Sequence, residues 1–412
     1  FAAETPVRRA RRCRKNLAGL PAAFDTVMCV LLESPSSEAP ERGDAAAPGS
    51  LLSLTFREAM ARIEADTLPG VRAALDFPLH PACEPCDDLA AGYRTVLRHG
   101  KDWYWLVMRR IGRSWRVRDP SLVWLDDKVA QVGRTTEICE RELHLPILAH
   151  ATAGDAEAEG ALRAAASACV ARGEPVVVKP RHGSNSKHVR LWPSPQEAGE
   201  AAVLASVDEA LTAFDETWKR ESWNQNAVTR GALLQPLYAP MCPDEAVLVS
   251  RPLELKVQVL FGEAVGGALC THCGLLWVLR SGAVQLWDRE ARSEWMKHRR
   301  LCRQDGQALP PGALETLQAT LREHWAAMRA ASERLACGAG LDELRVDWLL
   351  GDARWGPRVG ELTYMGTCPR PAAAPIARAF ATAHLGRLER GSAPRGGSGG
   401  GCTDGLAADG SG

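Results

Sequence analysis

The stretch RVDWLLGDARWGPRVGELTYMG, Arg345 to Gly366, decides how the rest of the chain is read. Two alternating runs flank a turn rich in Gly, Asp and Pro, the pattern of a hairpin. Asp347 falls in the first run and Glu361 in the second, so the hairpin sets two carboxylates side by side in an otherwise apolar sheet. Such carboxylates repel unless a cation sits between them. Hard oxygen ligands of this kind suit Mg²⁺, which typically takes about one or two carboxylates and completes its shell with phosphate oxygens and water. Arg345, two residues before Asp347, points to the same face and is placed to pair with a phosphate. A surface hairpin with alternating charges is the competing reading, but Val346, Trp348 and Leu362 read as buried.

Upstream, VVVKPRHGSNSKHVRLW (Val176–Trp192) reads as two strands around a short polar loop. Lys179 ends the first strand, directly before His182-Gly183-Ser184-Asn185. Backbone N–H groups of such a loop converge on an anion, and the ammonium neutralises part of its charge. The loop lacks Walker A spacing, and no G-x-G-x-x-G fingerprint occurs. An ordinary hairpin turn with a surface lysine would read the same way. Further on, LELKVQVLFGE puts Lys256 in phase with Glu254 and Gln258, among alternating apolar residues. On an inner face that lysine needs an anionic partner; on an outer face it needs none. ALLQPLYAP precedes it, an apolar strand whose end offers a flat wall for an adenine ring. In LDDKVAQ, Lys128 falls at a helix start, where a cation opposes the helix dipole and a phosphate would relieve it.

The remaining features set the frame. The length of 412 residues suggests two to three domains. Fifty basic and fifty acidic side chains cancel, leaving no global field for nucleic acid. No apolar run nears the roughly 18 residues of a membrane span. The chain starts at Phe1, so a fragment or a processed chain is expected; RRARRCRK reads as a solvated basic arm or as part of a targeting signal. Thirteen scattered cysteines suggest buried, reduced thiols and favour the cytoplasm, with organelle targeting left open by the basic run. The Cys83/Cys86 and Cys270/Cys273 pairs lie too far apart for a zinc ribbon.

Residues 1–50 read as basic arm and linker, 51–150 as a mostly helical region, 151–390 as the core, and 391–412 as a disordered Gly/Ser-rich tail. Helices are expected over 51–68, 102–111 (apolar and buried), from Asp126 or Asp127 onward, over 155–173, over 195–214, and over 313–338. LPILAHA (145–151), ALLQPLYAP, LELKVQVLFG, EAVGGALCTHC and LLWVLR are expected strands. Strands in hairpins mixed with helices indicate α+β or mixed α/β rather than a doubly wound parallel sheet.

Taken in order, these stretches resemble the ATP-grasp superfamily, most closely its TupA-like branch, associated with teichuronopeptide and other polysaccharide modification. The matching residues are Asp127-Lys128, LPILA, Lys179 through Asn185, LLQPLY, Glu254-Leu255-Lys256, Arg345-Val346-Asp347 and Gly360-Glu361-Leu362-Thr363, spanning roughly 120 to 390 with a closing helix at PIARAFATAHLGRL. The resemblance implies two α+β subdomains clasping ATP, a lid at about 151–235 and a metal-binding part at about 236–390, after a smaller helical region. It implies Lys128 and Lys179 on the phosphates and the loop with His182, Gly183, Ser184 and Asn185 as lid. Gln235, Pro236, Leu237 and Tyr238 would form the adenine hinge. Lys256 and Arg345 would be catalytic phosphate contacts, and Asp347 and Glu361 would carry Mg²⁺. The chain departs from the pattern at Arg181 (Asn in the family), Asn185 (Gly) and Glu254 (Asp). Thr363 agrees with the branch but thins the metal shell.

The chemistry so implied is ATP-driven ligation of a carboxylate to an amine or thiol through an acyl phosphate. The acceptor would be a small molecule or a glycan or peptide carboxylate. A kinase acting on a sugar or other hydroxyl, or a nucleotide-binding module without turnover, would share the same ATP residues. His182 fits either a phosphate donor or a loop-packing side chain.

Overall fold

The computed structural model describes residues 51–54, 58, 60–65, 74–239, 253–271, 274–287, 313–368 and 372–391, all within one compact unit, Asp44–Gly412. The basic arm and linker, the C-terminal tail and the Cys270/Cys273 pair lie outside them, Cys270 by its side chain. Eleven strands are described: β1 (Leu51–Leu54), β2 (Ala149–Thr152), β3 (Val176–Pro180), β4 (Arg190–Trp192), β5 (Gly231–Pro236), β6 (Leu253–Leu260), β7 (Glu263–Thr271), β8 (Gly274–Val278), β9 (Val284–Trp287), β10 (Glu343–Leu350) and β11 (Arg358–Thr363). The larger sheet runs β1-β9-β8-β7-β6-β10-β11 and the smaller β2-β5-β3-β4. Every pairing is antiparallel except β1 with β9.

The longer helices are α1 (Asp87–His99), α2 (Trp103–Val117), α3 (Lys128–Cys139), α4 (Ala156–Arg172), α5 (Glu200–Thr212), α6 (Ala313–Ala339) and α7 (Ala373–Gly391). Their starts follow the caps: the Asp127 carboxylate accepts from Val129 N at 3.0 Å, and Asp155 accepts from Ala158 N at 3.1 Å. α4 stops at Gly173, whose φ of +69° a side chain would resist.

Each sheet has its own core. In β10, Leu344, Val346, Trp348 and Leu350 alternate onto one buried face, and Trp348 Nε1 donates to Ser332 Oγ of α6 at 3.0 Å. Tyr93, Trp103, Leu106 and Phe380, from α1, α2 and α7, join that same core. The helical region before residue 140 is therefore packed on the larger sheet rather than folded around a core of its own. The smaller sheet buries Val176, Val178 and Leu234 against Leu162, Val203 and Val207 of α4 and α5.

Several expectations need correction. LLSL begins the expected helix but forms β1, and among the described residues beyond it 60–65 are helical; four residues carry too little periodicity to separate the two. The helix of 102–111 continues to Val117 and is amphipathic, with Tyr104 46% exposed. LPILAHA shrinks to the strand Ala149–Thr152. The helix over 195–214 breaks at Gly199 (φ +83°). Strand β9 was not foreseen, although Ser281-Gly282 between two apolar runs is a hairpin signal, and Gly282 has φ +89°.

Candidate active site

Residues of three strands of the larger sheet, β6, β10 and β11, meet the loop after β3 of the smaller sheet. In β10 the face opposite Trp348 carries Glu343, Arg345 and Asp347. Strand register puts Asp347 beside Lys256 of β6 and, on its other side, beside Glu361 of β11. The pairing of carboxylates read from the hairpin is thus a cross-strand neighbour pair. Asp347, 0% exposed, is held by Arg345 (Nε to Oδ1 2.7 Å, Nη2 to Oδ2 3.1 Å) and ion-paired with Lys256. Arg345 Nη2 also donates to Thr363 Oγ1 at 3.0 Å, and Lys256 contacts Glu254 at 2.8 Å. Burial would push the Asp347 carboxyl up, but Arg345 and then Lys256 hold it below the ordinary range.

Lys128 opens α3 and reaches across to the smaller sheet, donating to the Gly183 carbonyl at 2.6 Å; its ammonium is 4.0 Å from Glu361. Arg181 ties the same junction: it grips Asp127 with two bonds of 2.8 and 2.6 Å, and its carbonyl accepts from Lys128 N at 3.1 Å. The departure at Arg181 therefore has a structural partner, the cap of α3. The ammonium of Lys179, at the end of β3, has no hydrogen bond or ion pair among the described residues, while its backbone pairs with Leu233 of β5. Burial, then Lys128, lowers its pKa to about 8, against the pull of Glu361 and Glu254.

Gly183 must be glycine. Its φ is +91°, and a Cβ there would stand 2.5 Å from Trp218 Cζ2. The His182 ring turns inward from its loop, its Nε2 3.0 Å from the Ala213 carbonyl and its plane T-shaped to Trp218. These contacts are those of a loop-packing side chain. Ser184 Oγ and Asn185 Nδ2 donate to Glu221 at 3.3 and 3.4 Å.

The stretch Gln235–Tyr238 runs from the smaller sheet to the β10–β11 turn. Gln235 Nε2 donates to the Leu145 carbonyl at 2.9 Å, and Leu237 N to the Pro175 carbonyl at 3.0 Å. Tyr238 OH donates to the Gly356 carbonyl at 3.0 Å and accepts from Asp352 N at 3.1 Å. Gln235 and Tyr238 thus spend side-chain polar groups on the fold, and Tyr238 sits at the turn end of the β10–β11 hairpin.

Two acidic residues here were not singled out from the sequence. Burial, then the Glu361 charge, raises Asp126 to about 8, while Lys128 opposes. Glu221 is raised by burial, against its bonds from Ser184 and Asn185. Asp126 adjoins the Asp127-Lys128 motif and could have been suspected. Glu221 follows a short 3-10 turn, Glu216–Arg220, and carries no motif.

The donor set meets Mg²⁺ only in part. Glu361 presents a part-exposed carboxylate whose only described ion contact is Lys128 at 4.0 Å. Asp347 does not fit as held, since both its oxygens are bonded to cations. Among the described residues no group of three or more His, Cys, Asp or Glu is arranged for a metal ion.

No protein-family model matches the chain, and no curated protein does. Solved structures do align with it. The biotin carboxylase–β-γ-ATP complex from Campylobacter jejuni is 14% identical over 67% of this chain and 51% of that one, with a TM-score of 0.35. The D-cycloserine synthetase DcsG is 17% identical over 82% of this chain and 100% of that one, TM-score 0.35. The RimK domain protein ATP-grasp from Sphaerobacter thermophilus is 15% identical over 65% of this chain and 69% of that one, TM-score 0.32. The chain spans about half the length of the biotin carboxylases it matches. The chain itself is an α+β protein in which cations and carboxylates cluster between two sheets.

Proposed function

We propose that this chain is an ATP-dependent ligase of the ATP-grasp type, joining a carboxylate to an amine or thiol. The observation that carries the reading is Lys179: a half-buried ammonium without a side-chain partner among the described residues, beside Lys128 and across from Glu361. Two ammonium groups so close call for a polyanion, and a triphosphate supplies one. The ordered motifs from Asp127 to Thr363 support the same class.

In this reading adenine lies against the wall of Pro236–Tyr238, and the phosphates run along β10 toward Arg345. A substrate carboxylate oxygen attacks the γ-phosphorus, the bond to the β-γ bridging oxygen breaks, and ADP leaves. The amine then attacks the acyl carbon and phosphate departs. Lys128, Lys179 and Arg345 offset the charge on the transferring group and hold it in line. Glu361 would be the first contact for Mg²⁺; Asp347 would join only after exchanging its cations, and no step is assigned to the metal.

The TupA-like branch, and with it a role in polysaccharide or peptide modification, is the finer form of the proposal. It rests on the order of the motifs and on Thr363, which here bonds Arg345. A second reading, a nucleotide-binding module without turnover, is favoured by the engaged state of Asp347.

The test is ADP release with Mg·ATP across amino acids, short acidic peptides, uronic acids and sugars. An amide or thioester product by mass supports the ligase. A phosphorylated sugar would replace it with a kinase. Nucleotide binding without any stimulated release would favour the module.

A further inference from the structure

Beyond the cation cleft, the larger sheet borders a cavity of about 40 Å³, walled by α1, α2 and the residues flanking the β10–β11 hairpin. On a scale where about 10–15 Å³ holds one water, that is space for roughly three heavy atoms, enough for a carboxylate and too little for a sugar ring. Three segments of the cleft lead into it. Asp342 lies three residues before Arg345, Tyr364 and Met365 directly follow Thr363, and Asn224 lies three residues after Glu221. The hinge wall is at the opposite end of the same hairpin, where Tyr238 bonds Gly356. Hinge, cation cluster and cavity thus follow one another along β10. Three residues of strand set the cavity about 10 Å from Arg345.

Two donors in the cavity wall lack strong partners. Asn224 is 2% exposed, and its Nδ2 has no hydrogen-bond partner among the described residues. Arg113 makes one contact of 3.5 Å with Asp88, itself 58% exposed; such pairs contribute little and exchange readily. Arg110, by contrast, is committed to Asp342 and Glu343 at 2.8 and 3.3 Å, and neutralised by them. Glu84, Asp119 and Asp342 line the same cavity; Arg110 neutralises Asp342 and Asp119 accepts from Ser121, so the buried amide of Asn224 and the Arg113 guanidinium are the groups left to meet anionic oxygen.

We propose that this cavity anchors the terminal carboxylate of an extended acceptor, through Asn224 and Arg113, while its reacting group reaches the cation cluster. The proposal rests on the ligase reading for what happens at the other end, but the anchoring itself does not. A tripeptide spans about 10 Å at roughly 3.3–3.6 Å per residue, which matches the separation. A long-chain dicarboxylic acid offers the same terminal carboxylate.

The test measures binding to the full chain by calorimetry without nucleotide, using Gly-Gly-Gly, its C-terminal amide and suberic acid. Gly-Gly-Gly or suberic acid should bind, and the amide should bind at least about tenfold more weakly. Asn224→Leu and Arg113→Met should each weaken the bound carboxylate by about tenfold. Thermal melting shows whether each variant is folded, and Arg113→Met lies at a position 21% exposed should the Leu variant fail. Which of the two ligands binds distinguishes a peptide from a diacid source. Equal binding of the amide, equal binding by a folded Arg113→Met protein, or no binding of either carboxylate at millimolar concentration overturns the proposal. A separate ATP titration of the same proteins tests the ligase reading: carboxylate binding with no ATP binding would sink that reading and leave the anchor standing.

Discussion

Replacing Asp347 with Asn removes one negative charge from a place where two cations stay. Asp347 is 0% exposed and bonded by Arg345 at 2.7 and 3.1 Å as well as by Lys256. Removing one partner of a buried pair costs about 3–5 kcal/mol, because the opposite charge is left behind. Arg345 keeps Thr363 at 3.0 Å and Lys256 keeps Glu254 at 2.8 Å, so the loss falls at the lower end. We expect about 3 kcal/mol, read by urea unfolding at pH 7. The pH course is set by the depressed Asp347 carboxyl. Its contribution is present above the unfolded value of about 3.9 and is lost as pH falls through the folded value. The advantage over Asp347→Asn should therefore be full at pH 7 and shrink in acid below about pH 4. Metal-free ATP should restore part of the variant's deficit, because its phosphates replace the missing counter-charge. A loss below about 1 kcal/mol, or one that stays constant down to about pH 3, would refute the argument.

Lys179 holds its proton only up to about pH 8. ATP affinity should therefore fall as pH rises through that value, with proton uptake on binding near it; Lys179→Met should bind more weakly and show no such step, measured by calorimetry in two buffers. Gly183→Ala meets Trp218 at 2.5 Å and a φ of +91°, and should destabilise by about 1–3 kcal/mol in chemical unfolding, with part of the loss recovered by adding Trp218→Leu. Asp126, raised to about 8, gives a stability that falls as pH rises from the unfolded carboxyl value toward 8. Asp126→Asn should stabilise by about 1–3 kcal/mol at pH 8 and by little at pH 4, seen as a pH-dependent shift in melting temperature.

What the sequence by itself determined is the local chemistry and its order. Alternation in VVVKP and RVDWLLG marks strands because side chains on neighbouring residues face opposite ways, and that rule needs no tertiary information. The Asp127 cap and the Asp347–Glu361 pairing are legible for the same reason: a cap and a hairpin register act within a few residues or one turn. The tertiary structure decided everything that depends on distant contacts. LLSL became a strand because β9, more than two hundred residues later, offers it an edge. His182 turned inward because Trp218 fills the space beneath the loop, and Asp347 was clamped because β6 sets Lys256 opposite it. Glu221 and Asn224 entered the cleft and the cavity from a segment with no periodicity to read. The burial of both, and the unpartnered amide of Asn224, exist only once the two sheets and α2 have closed around them, since a charge or an amide in an open chain is satisfied by water.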